Sequence, residues 1–245
     1  MTHHASPAVM AAGAIALALA LTGCTASQPA RTPAPSPSPT ATAAPVGPSG
    51  DGVLRVGTLF PMTGKTAVQG AAEVAGSELA AREIFEQGGV LGKSIELVHR
   101  NSAGELDAAI TDLIARGVDV VLWDATTEIP KEAASAIDAA TIALLPLGDF
   151  VRNGRAITPG KPFTIRLATA DPGLTAFLGG AEAYDGMVTA ALAATVADDD
   201  GGPSIAPKLE SVATGPTACA SWGECLAALA DKQEIRFVGA TGERS

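Results

Sequence analysis

The chain lacks several features that would point to common classes of protein. It has only 16 lysines and arginines against 26 aspartates and glutamates, for a formal net charge of −10. A duplex nucleic-acid binder needs a basic surface, so this balance argues against one. Three cysteines are too few for a scaffold held mainly by disulfides. Aromatic residues make up 4% of the chain although 47% is hydrophobic, so any core must use small side chains on closely packed helices.

Catalytic signatures are also missing. The sequence contains no G-x-S-x-G elbow, no H-E-x-x-H and no C-x-x-C. Gly64-Lys65-Thr66 follows a β-rich run, but a phosphate-binding loop needs a glycine five positions before Gly64, where this chain has Leu59. His99 lies in a predicted strand, which favours a surface or core role. We therefore expect no catalytic residue, no metal site and no cofactor.

The first fifty residues do not look like part of a folded domain. They contain no acid and one base, Arg31. The apolar run Ala8–Leu21 is shorter than the roughly 20 residues of a transmembrane helix and is typical of a signal peptide. Leu21-Thr22-Gly23-Cys24 follows it and resembles the lipobox of bacterial lipoproteins, in which the cysteine receives the lipid. The alternative is a plain cleavage site with an incidental cysteine.

The segment after Cys24 is dominated by Pro, Ser, Thr and Ala. Such a composition cannot bury enough apolar surface to fold, and its prolines favour extended conformations. We expect residues 1–23 to be a lipoprotein signal peptide and residues 24–52 to be a disordered tether. Acyl chains on Cys24 would then hold the protein at the membrane without a spanning helix.

From residue 53 onward, strand and helix patterns alternate. The predicted elements are a strand at Val53–Phe60, a helix at Gln69–Gln87, a strand at Ser94–Arg100, a helix at Glu105–Arg116, a strand at Val118–Trp123, a helix at Pro130–Ala140 and a strand at Thr141–Leu145. This order predicts an α/β fold with a doubly wound parallel sheet. Ligands of such sheets bind beyond the carboxyl ends of the strands.

The remaining pattern is less regular. It predicts a strand at Phe163–Leu167, a short helix from Asp171 to Gly179, a helix at Ala181–Val196, a solvated acidic turn at Asp198–Gly202, a helix at Ser204–Val212, a helix near Glu224–Ala230 and a strand at Ile235–Val238. Cys219 and Cys225 form an even pair once Cys24 carries lipid, and disulfides persist in exported proteins. A metal site built on these two cysteines is the weaker alternative.

Four stretches of the sequence carry a family resemblance. They are LRVGTLFPMTGKTAVQGAAEVAGSELAAREIFEQGGVLGKSIELV, PFTIRLATADPG, EAYDGMVTAALAA and the Cys-containing CASWGECLAALADKQEIRFVGATG. These resemble type I periplasmic binding proteins of the Leu/Ile/Val-binding kind, the substrate-binding components of ABC transporters. The family has two α/β lobes, but the short segment between Asp171 and Tyr184 has no room for a second lobe. The resemblance implies a substrate-binding lobe over residues 53–180, C-terminal elements at 181–245 that pack back on it, and a second lobe that is largely absent.

The resemblance also implies a ligand site on three loops. The family's ligand contacts carry over to Gln69, to Ala125, Thr126 and Thr127, and to Leu147 and Asp149. Thr126 and Thr127 suit a ligand carboxylate near a helix N-terminus, whereas Asp149 suits an ammonium. The alternative for Thr126 and the preceding Asp124 is a helix-capping role alone.

Together these features predict an extracytoplasmic, lipid-anchored solute-binding protein at the cell membrane. Its expected partners are an amino acid-like solute and an ABC permease, with no nucleic acid and no enzymatic activity. An alternative of another class is a surface-anchored interaction module, or a degenerate remnant that no longer binds solute.

Overall fold

A four-stranded parallel sheet forms the centre of the fold. The computed structural model describes residues 49–151 and 155–242, so the predicted signal peptide, Cys24 and most of the tether lie outside the described residues. The strands are β1 (Arg55–Phe60), β2 (Glu96–Asn101), β3 (Val120–Trp123) and β4 (Ala143–Pro146), in the order β2-β1-β3-β4. All three pairings are parallel. The parallel sheet expected from the sequence is confirmed.

Helices cover both faces of this sheet. One face carries α1 (Ala67–Glu86) and α5 (Gly180–Ala197), and the other carries α2 (Leu106–Ala115) and α3 (Lys131–Ala139). Strand β1 shows the alternation, because Val56 and Phe60 join the first core cluster while Leu59 joins the second. The sheet is therefore doubly wound.

The tightest helix contact joins α1 to α5 and depends on small residues. Residues 180–194 of α5 are all buried. A Cβ atom added at Gly76 of α1 would lie 2.1 Å from the carbonyl oxygen of Gly180, so only glycine allows this approach. A core with few aromatic side chains is therefore built on the close packing of the α1 and α5 backbones.

The strand predicted at Phe163–Leu167 is wrong, because these residues lie in a helix, α4 (Lys161–Ala170). Phe163 and Leu167 are buried and Ile165 is 55% exposed, which is the spacing of a helix face. Arg166 extends from α4 to donate hydrogen bonds to Glu83 of α1 and to the Tyr184 hydroxyl of α5. Residues 171–179 then form turns and irregular backbone rather than the predicted short helix.

The C-terminal elements are shorter than expected. The single helix predicted at Ser204–Val212 is instead α6 (Gly202–Ile205), a 3-10 turn at Ala206–Lys208, and α7 (Ser211–Thr214). Pro207 interrupts this segment because it has no backbone N–H. A separate two-stranded parallel sheet follows, formed by β5 (Thr217–Cys219) and β6 (Ile235–Phe237), with α8 (Trp222–Ala230) between them. The structure joins Cys219 to Cys225 in a disulfide, the pairing expected from the sequence.

The acidic turn after α5 is buried, so the expectation of a solvated turn is wrong. Asp199 and Asp200 are almost inaccessible to solvent. Asp199 accepts hydrogen bonds from the backbone N–H groups of Ser49 and Gly50, at 2.8 and 3.0 Å. Asp200 accepts three more, from the N–H groups of residues 51, 52 and 53. The two carboxylates hold the chain where it enters β1, and we call this group the entry clasp.

Candidate functional site

The candidate site lies at the carboxyl edge of the sheet, where β1 and β3 end side by side. The chain leaves β1 toward α1 on one face and leaves β3 toward α3 on the other face. Where neighbouring strands send their connections to opposite faces of the sheet, a crevice opens beyond the strand ends. Ligands of open α/β sheets bind in this crevice. Gln69 follows β1 and Asp124 follows β3, so both lie at this crevice.

Hydrogen bonds hold the loop after β1 in place. Asn101, the last residue of β2, accepts from the backbone N–H of Met62 at 2.8 Å. Its Nδ2 donates to Thr63 Oγ1 and to the carbonyl of Ala103, both at 2.9 Å. One amide side chain thereby ties the loops that follow β1 and β2, which fixes the point at which α1 begins.

A polar cluster centred on Gln69 forms the core of the site. The Nε2 atom of Gln69 lies 3.0 Å from Glu73 Oε1, 3.0 Å from Asp124 Oδ1 and 3.2 Å from Thr126 Oγ1. Thr126 is exposed, Gln69 is half-buried, and Asp124 is 1% exposed. The cluster therefore runs from solvent at Thr126 down to buried carboxyl groups, and we call it the Gln69 cluster.

Glu73 belongs to this cluster although the sequence reasoning missed it. It is fully buried, and its Oε2 atom has no hydrogen-bond partner among the described residues. Burial, together with the charge and side-chain contact of Asp124, raises the pKa of Glu73 to about 9. A glutamate one helical turn after Gln69, beside the small residues of the α1 seam, is the sequence signal that could have identified it.

Two backbone N–H groups at the end of β3 bind the protein's own carboxyl groups. The N–H of Ala125 donates to Glu73 Oε1 at 3.3 Å, and the N–H of Thr126 donates to Asp124 Oδ1 at 3.2 Å. Helix α3 begins at Lys131 with Pro130 at its N-cap position and no side-chain cap. The capping role considered for Asp124 and Thr126 is therefore wrong, and no helix begins beside Thr126 or Thr127.

The other predicted site residues have separate environments. Thr127 is exposed and its hydroxyl accepts from the Trp123 indole at 3.1 Å. Leu147 is fully buried in the core, and Asp149 is exposed on the 3-10 turn Leu147–Phe150. The structure thus brings Gln69, Ala125 and Thr126 together, while Thr127 contacts Trp123 and Leu147 packs in the core.

One half-buried histidine, His99, lies between a hydroxyl and a carboxyl group. His99 Nδ1 lies 2.7 Å from Thr58 Oγ1, and His99 Nε2 lies 3.5 Å from Glu78 Oε1. Thr58 is completely buried, so its hydroxyl cannot meet a substrate. In the described ranges, no group of three or more His, Cys, Asp or Glu side chains is arranged to hold a metal ion. No helix within those ranges is long and apolar enough to span a membrane.

Comparisons with solved structures find partial likenesses. LivJ, the branched-chain amino acid transporter substrate-binding protein of Streptococcus pneumoniae solved with isoleucine, is 28% identical with a TM-score of 0.36, over 39% of this chain and 28% of that one. A fatty acid ABC transporter substrate-binding protein from Thermomonospora curvata is 14% identical with a TM-score of 0.30. The match covers 77% of this chain and 44% of that one. An R. palustris solute-binding protein in complex with 4-hydroxybenzoate is 16% identical with a TM-score of 0.31. The match covers 76% of this chain and 46% of that one.

The chain spans less than half the length of each of these three structures. No curated protein matches it. The sequence model of one family, described as periplasmic binding protein, matches residues 53–214. This match covers more than half of the chain and includes β1 to β4, α5 and the whole Gln69 cluster. The chain therefore belongs to the periplasmic binding protein family.

Proposed function

We propose that the protein is an extracytoplasmic solute-binding lipoprotein of an ABC importer, with little of a second lobe between β4 and α5. The observation that supports it best is that Gln69 and Asp124, 55 positions apart, meet at the carboxyl edge of a doubly wound sheet. That edge is where such sheets bind ligands. The solute would be an amino acid or a similar small polar molecule, because the cluster presents polar oxygens rather than an apolar wall.

The entry clasp lies at the opposite edge of the sheet from the candidate site. It holds residues 49–53 at the amino end of β1, whereas the Gln69 cluster lies at the carboxyl ends of β1 and β3. A tether that precedes residue 49 would therefore enter the domain at the edge opposite the site and leave the site uncovered.

Calorimetry tests solute binding directly. The purified domain, titrated with each amino acid up to millimolar concentrations, should release or absorb heat with at least one of them. Asp124→Asn should weaken that binding, while Asp138→Asn, an exposed aspartate of α3, should leave it unchanged. The absence of heat with every solute at millimolar concentration would contradict solute binding.

A separate experiment tests the lipid anchor. Cells expressing the full chain and fed labelled palmitate should incorporate label into the wild-type protein but not into Cys24→Ala. Thr25→Ala leaves the four-residue motif intact and should remain labelled. Equal labelling of wild type and Cys24→Ala would exclude lipidation at Cys24.

A second candidate, an interaction module that binds no solute, is favoured by one observation. The N–H groups of Ala125 and Thr126 are already bonded to Glu73 and Asp124, so these two donors are satisfied without a ligand. Light scattering after size exclusion distinguishes the candidates. A stable homodimer that gives no heat with any solute would favour the interaction module.

A further inference from the structure

Strand β2 lies at one edge of the four-stranded sheet, and its outer side is unpaired. Its only strand neighbour is β1, in the order β2-β1-β3-β4. The N–H groups of Glu96 and Ser102 donate to carbonyl groups on the β1 side. Because peptide groups alternate in direction along a strand, those of residues 97, 99 and 101 face away from β1. Their N–H groups have no hydrogen-bond partner among the described residues.

The two edges of the sheet differ in how much pairing capacity they offer. Strand β4 has four residues, ends in Pro146 and has one outward N–H group, that of Leu144, because the N–H of Ala143 donates to β3. Strand β2 has six residues, pairs with β1 in an unbroken register and contains no proline. Natural proteins protect edge strands with prolines, bulges or short length, and β2 has none of these. The β2 edge is therefore able to accept another strand.

The charges of β2 are complementary to those of a second copy that runs antiparallel to it. When Leu97 lies opposite His99 of the second copy, Glu96 lies opposite Arg100 of the second copy, and the same ion pair repeats across the two-fold axis. A shift of two residues in either direction places Glu96 opposite Ser102 or Val98 and loses both ion pairs. Charge thus selects one register.

The same register also matches apolar surface. Val98 lies opposite its own copy on the two-fold axis, and it shares a sheet face with Glu96 and Arg100 because alternate residues of a strand do so. Val98 is half-buried beside the α2 and α3 cluster, so a second Val98 would cover its remaining exposed surface. An apolar contact flanked by two ion pairs would stabilise the paired strands.

The side chain of Arg100 leaves room for this pairing. Its Nε donates to Asp112 at 2.7 Å and its Nη1 donates to the His99 carbonyl at 2.6 Å. A guanidinium has five N–H donors, so donors remain for a carboxylate of the second copy. A carbonyl oxygen has two lone pairs, so that of His99 can also accept the N–H of a second copy's Leu97.

We propose that β2 is a dimerisation edge, where a second copy of this chain adds its own β2 antiparallel and extends the sheet. Each pair of Leu97 with the other copy's His99 exchanges both N–H···O hydrogen bonds, and the two Glu96–Arg100 ion pairs flank them. The edge runs along the side of the sheet, whereas the Gln69 cluster lies beyond the ends of β1 and β3. The dimer therefore does not depend on solute binding.

Sedimentation equilibrium of the purified chain tests the pairing. Leu97→Pro removes an outward N–H but no hydrogen bond to β1, and proline is tolerated at strand edges. Leu97→Ala loses the same side chain and keeps the N–H. We expect wild type and Leu97→Ala to dimerise, and Leu97→Pro to dimerise at least about tenfold more weakly than Leu97→Ala. A monomeric wild type at every concentration, or equal dimerisation of the two variants, would overturn the proposal.

A charge reversal tests the register without changing the backbone. Glu96→Lys places two like charges opposite each other at both ends of the paired strands, so we expect the dimer to be about tenfold weaker. Glu86→Lys makes the same change of charge at an exposed glutamate of α1 and should leave the dimer unchanged. Equal weakening by both substitutions would reduce the effect to net charge and overturn the register.

Cysteine cross-linking locates the two-fold axis. In an antiparallel pair without hydrogen bonds, opposite Cα atoms lie about 4.5 Å apart, within reach of a disulfide. Val98→Cys treated with diamide should therefore run as a covalent dimer on a non-reducing gel. Leu144→Cys, also half-buried but on β4 at the other edge, keeps the same native cysteines and should stay monomeric. Cross-linking of both variants, or of neither, would overturn the β2 dimer.

Discussion

The two ends of the sheet each bury a pair of acidic residues, and the two pairs are satisfied differently. At the amino end, Asp199 and Asp200 accept five backbone N–H hydrogen bonds from residues 49–53. At the carboxyl end, Glu73 and Asp124 share one amide nitrogen, and Glu73 Oε2 has no hydrogen-bond partner among the described residues. The first pair accepts five backbone N–H hydrogen bonds, whereas the second accepts two, from Ala125 and Thr126.

This difference changes the pKa values in opposite directions. Burial alone raises the pKa of Asp199, but hydrogen bonds from Ser204, Ser49 and Gly50 outweigh burial and hold it well below its usual value. The pKa of Glu73 is raised to about 9, because burial and Asp124 are not offset by its few donors. Hydrogen-bond donors around Asp199 therefore favour its charged form, whereas burial beside Asp124 favours the neutral form of Glu73.

The largest expected effect comes from breaking the entry clasp at Asp200. Asp200→Asn replaces one acceptor oxygen with an NH₂ group that faces backbone donors, so we expect a loss of about 3 kcal/mol in the free energy of unfolding. Urea denaturation at pH 7 measures it. Asp198→Asn, an exposed neighbour, serves as the control and should change stability by less than about 0.5 kcal/mol. Equal losses of stability in Asp200→Asn and Asp198→Asn would show that the clasp carboxylate stabilises the fold no more than an exposed one.

Acidification should weaken the entry clasp at the amino end of the sheet. Because the folded pKa of Asp199 lies below its unfolded value, its contribution is present above about pH 4 and is lost as the pH falls further. Asp199→Asn should lower the free energy of unfolding by about 2 kcal/mol at pH 7 and by less at pH 3. Urea titrations at both values measure this. If Asp199→Asn lowers the free energy of unfolding as much at pH 3 as at pH 7, the charge of Asp199 contributes nothing to the clasp.

At the carboxyl end of the sheet, the contribution of Glu73 to the free energy of unfolding should depend on pH in the opposite direction. The unfolded chain loses the Glu73 proton near pH 4.5 and the folded chain near pH 9, so between these values this group destabilises the fold as pH rises. Glu73→Gln should raise the free energy of unfolding by about 1–2 kcal/mol at pH 8 and by less at pH 5. Glu86→Gln is the matched control. A gain of equal size at both pH values would show that Glu73 is not the titrating group.

The smallest change in stability is expected at the exposed edge of the Gln69 cluster. Thr126→Val keeps the β-branched shape but removes the hydroxyl that accepts from Gln69 and donates to Asp124. The free energy of unfolding should change by less than about 0.5 kcal/mol because Thr126 is exposed. Thermal denaturation of the wild type and of Thr126→Val measures this. A large loss of stability in Thr126→Val would show that the cluster serves the fold and would weaken the contrast between the two ends.

Most elements of the doubly wound sheet were predictable because their apolar patterns are local. Strand Val120–Trp123 is a continuous buried run, and α2 places Ala109, Ile110 and Leu113 on one face. Helix α4 was not predicted, because five residues from Phe163 to Leu167 fit a short strand as well as a helical turn. Its conformation depends on packing against α1 and α5, through Arg166 and Phe163.

The candidate site was predicted only in part. The resemblance placed Gln69, Ala125 and Thr126 in one site, and they do lie together. Glu73 was missed because a glutamate in an amphipathic helix normally faces solvent, and only the packing of α1 against Gly179 and the end of β3 buries it. Gly179, at φ +88°, lies so close that a Cβ there would be 2.8 Å from Glu73 Cγ.

The sequence by itself determined the alternation of strands and helices, the small-residue core and the family, because these follow from local periodicity, composition and motif. Only the tertiary structure decided which acids are buried and what they bind. Asp199 meets Ser49 across 150 positions and Gln69 meets Asp124 across 55, and no local pattern encodes such contacts. Whether a carboxyl group is surrounded by donors depends on how distant backbone segments pack around it, and that packing separates the clasp from the candidate site.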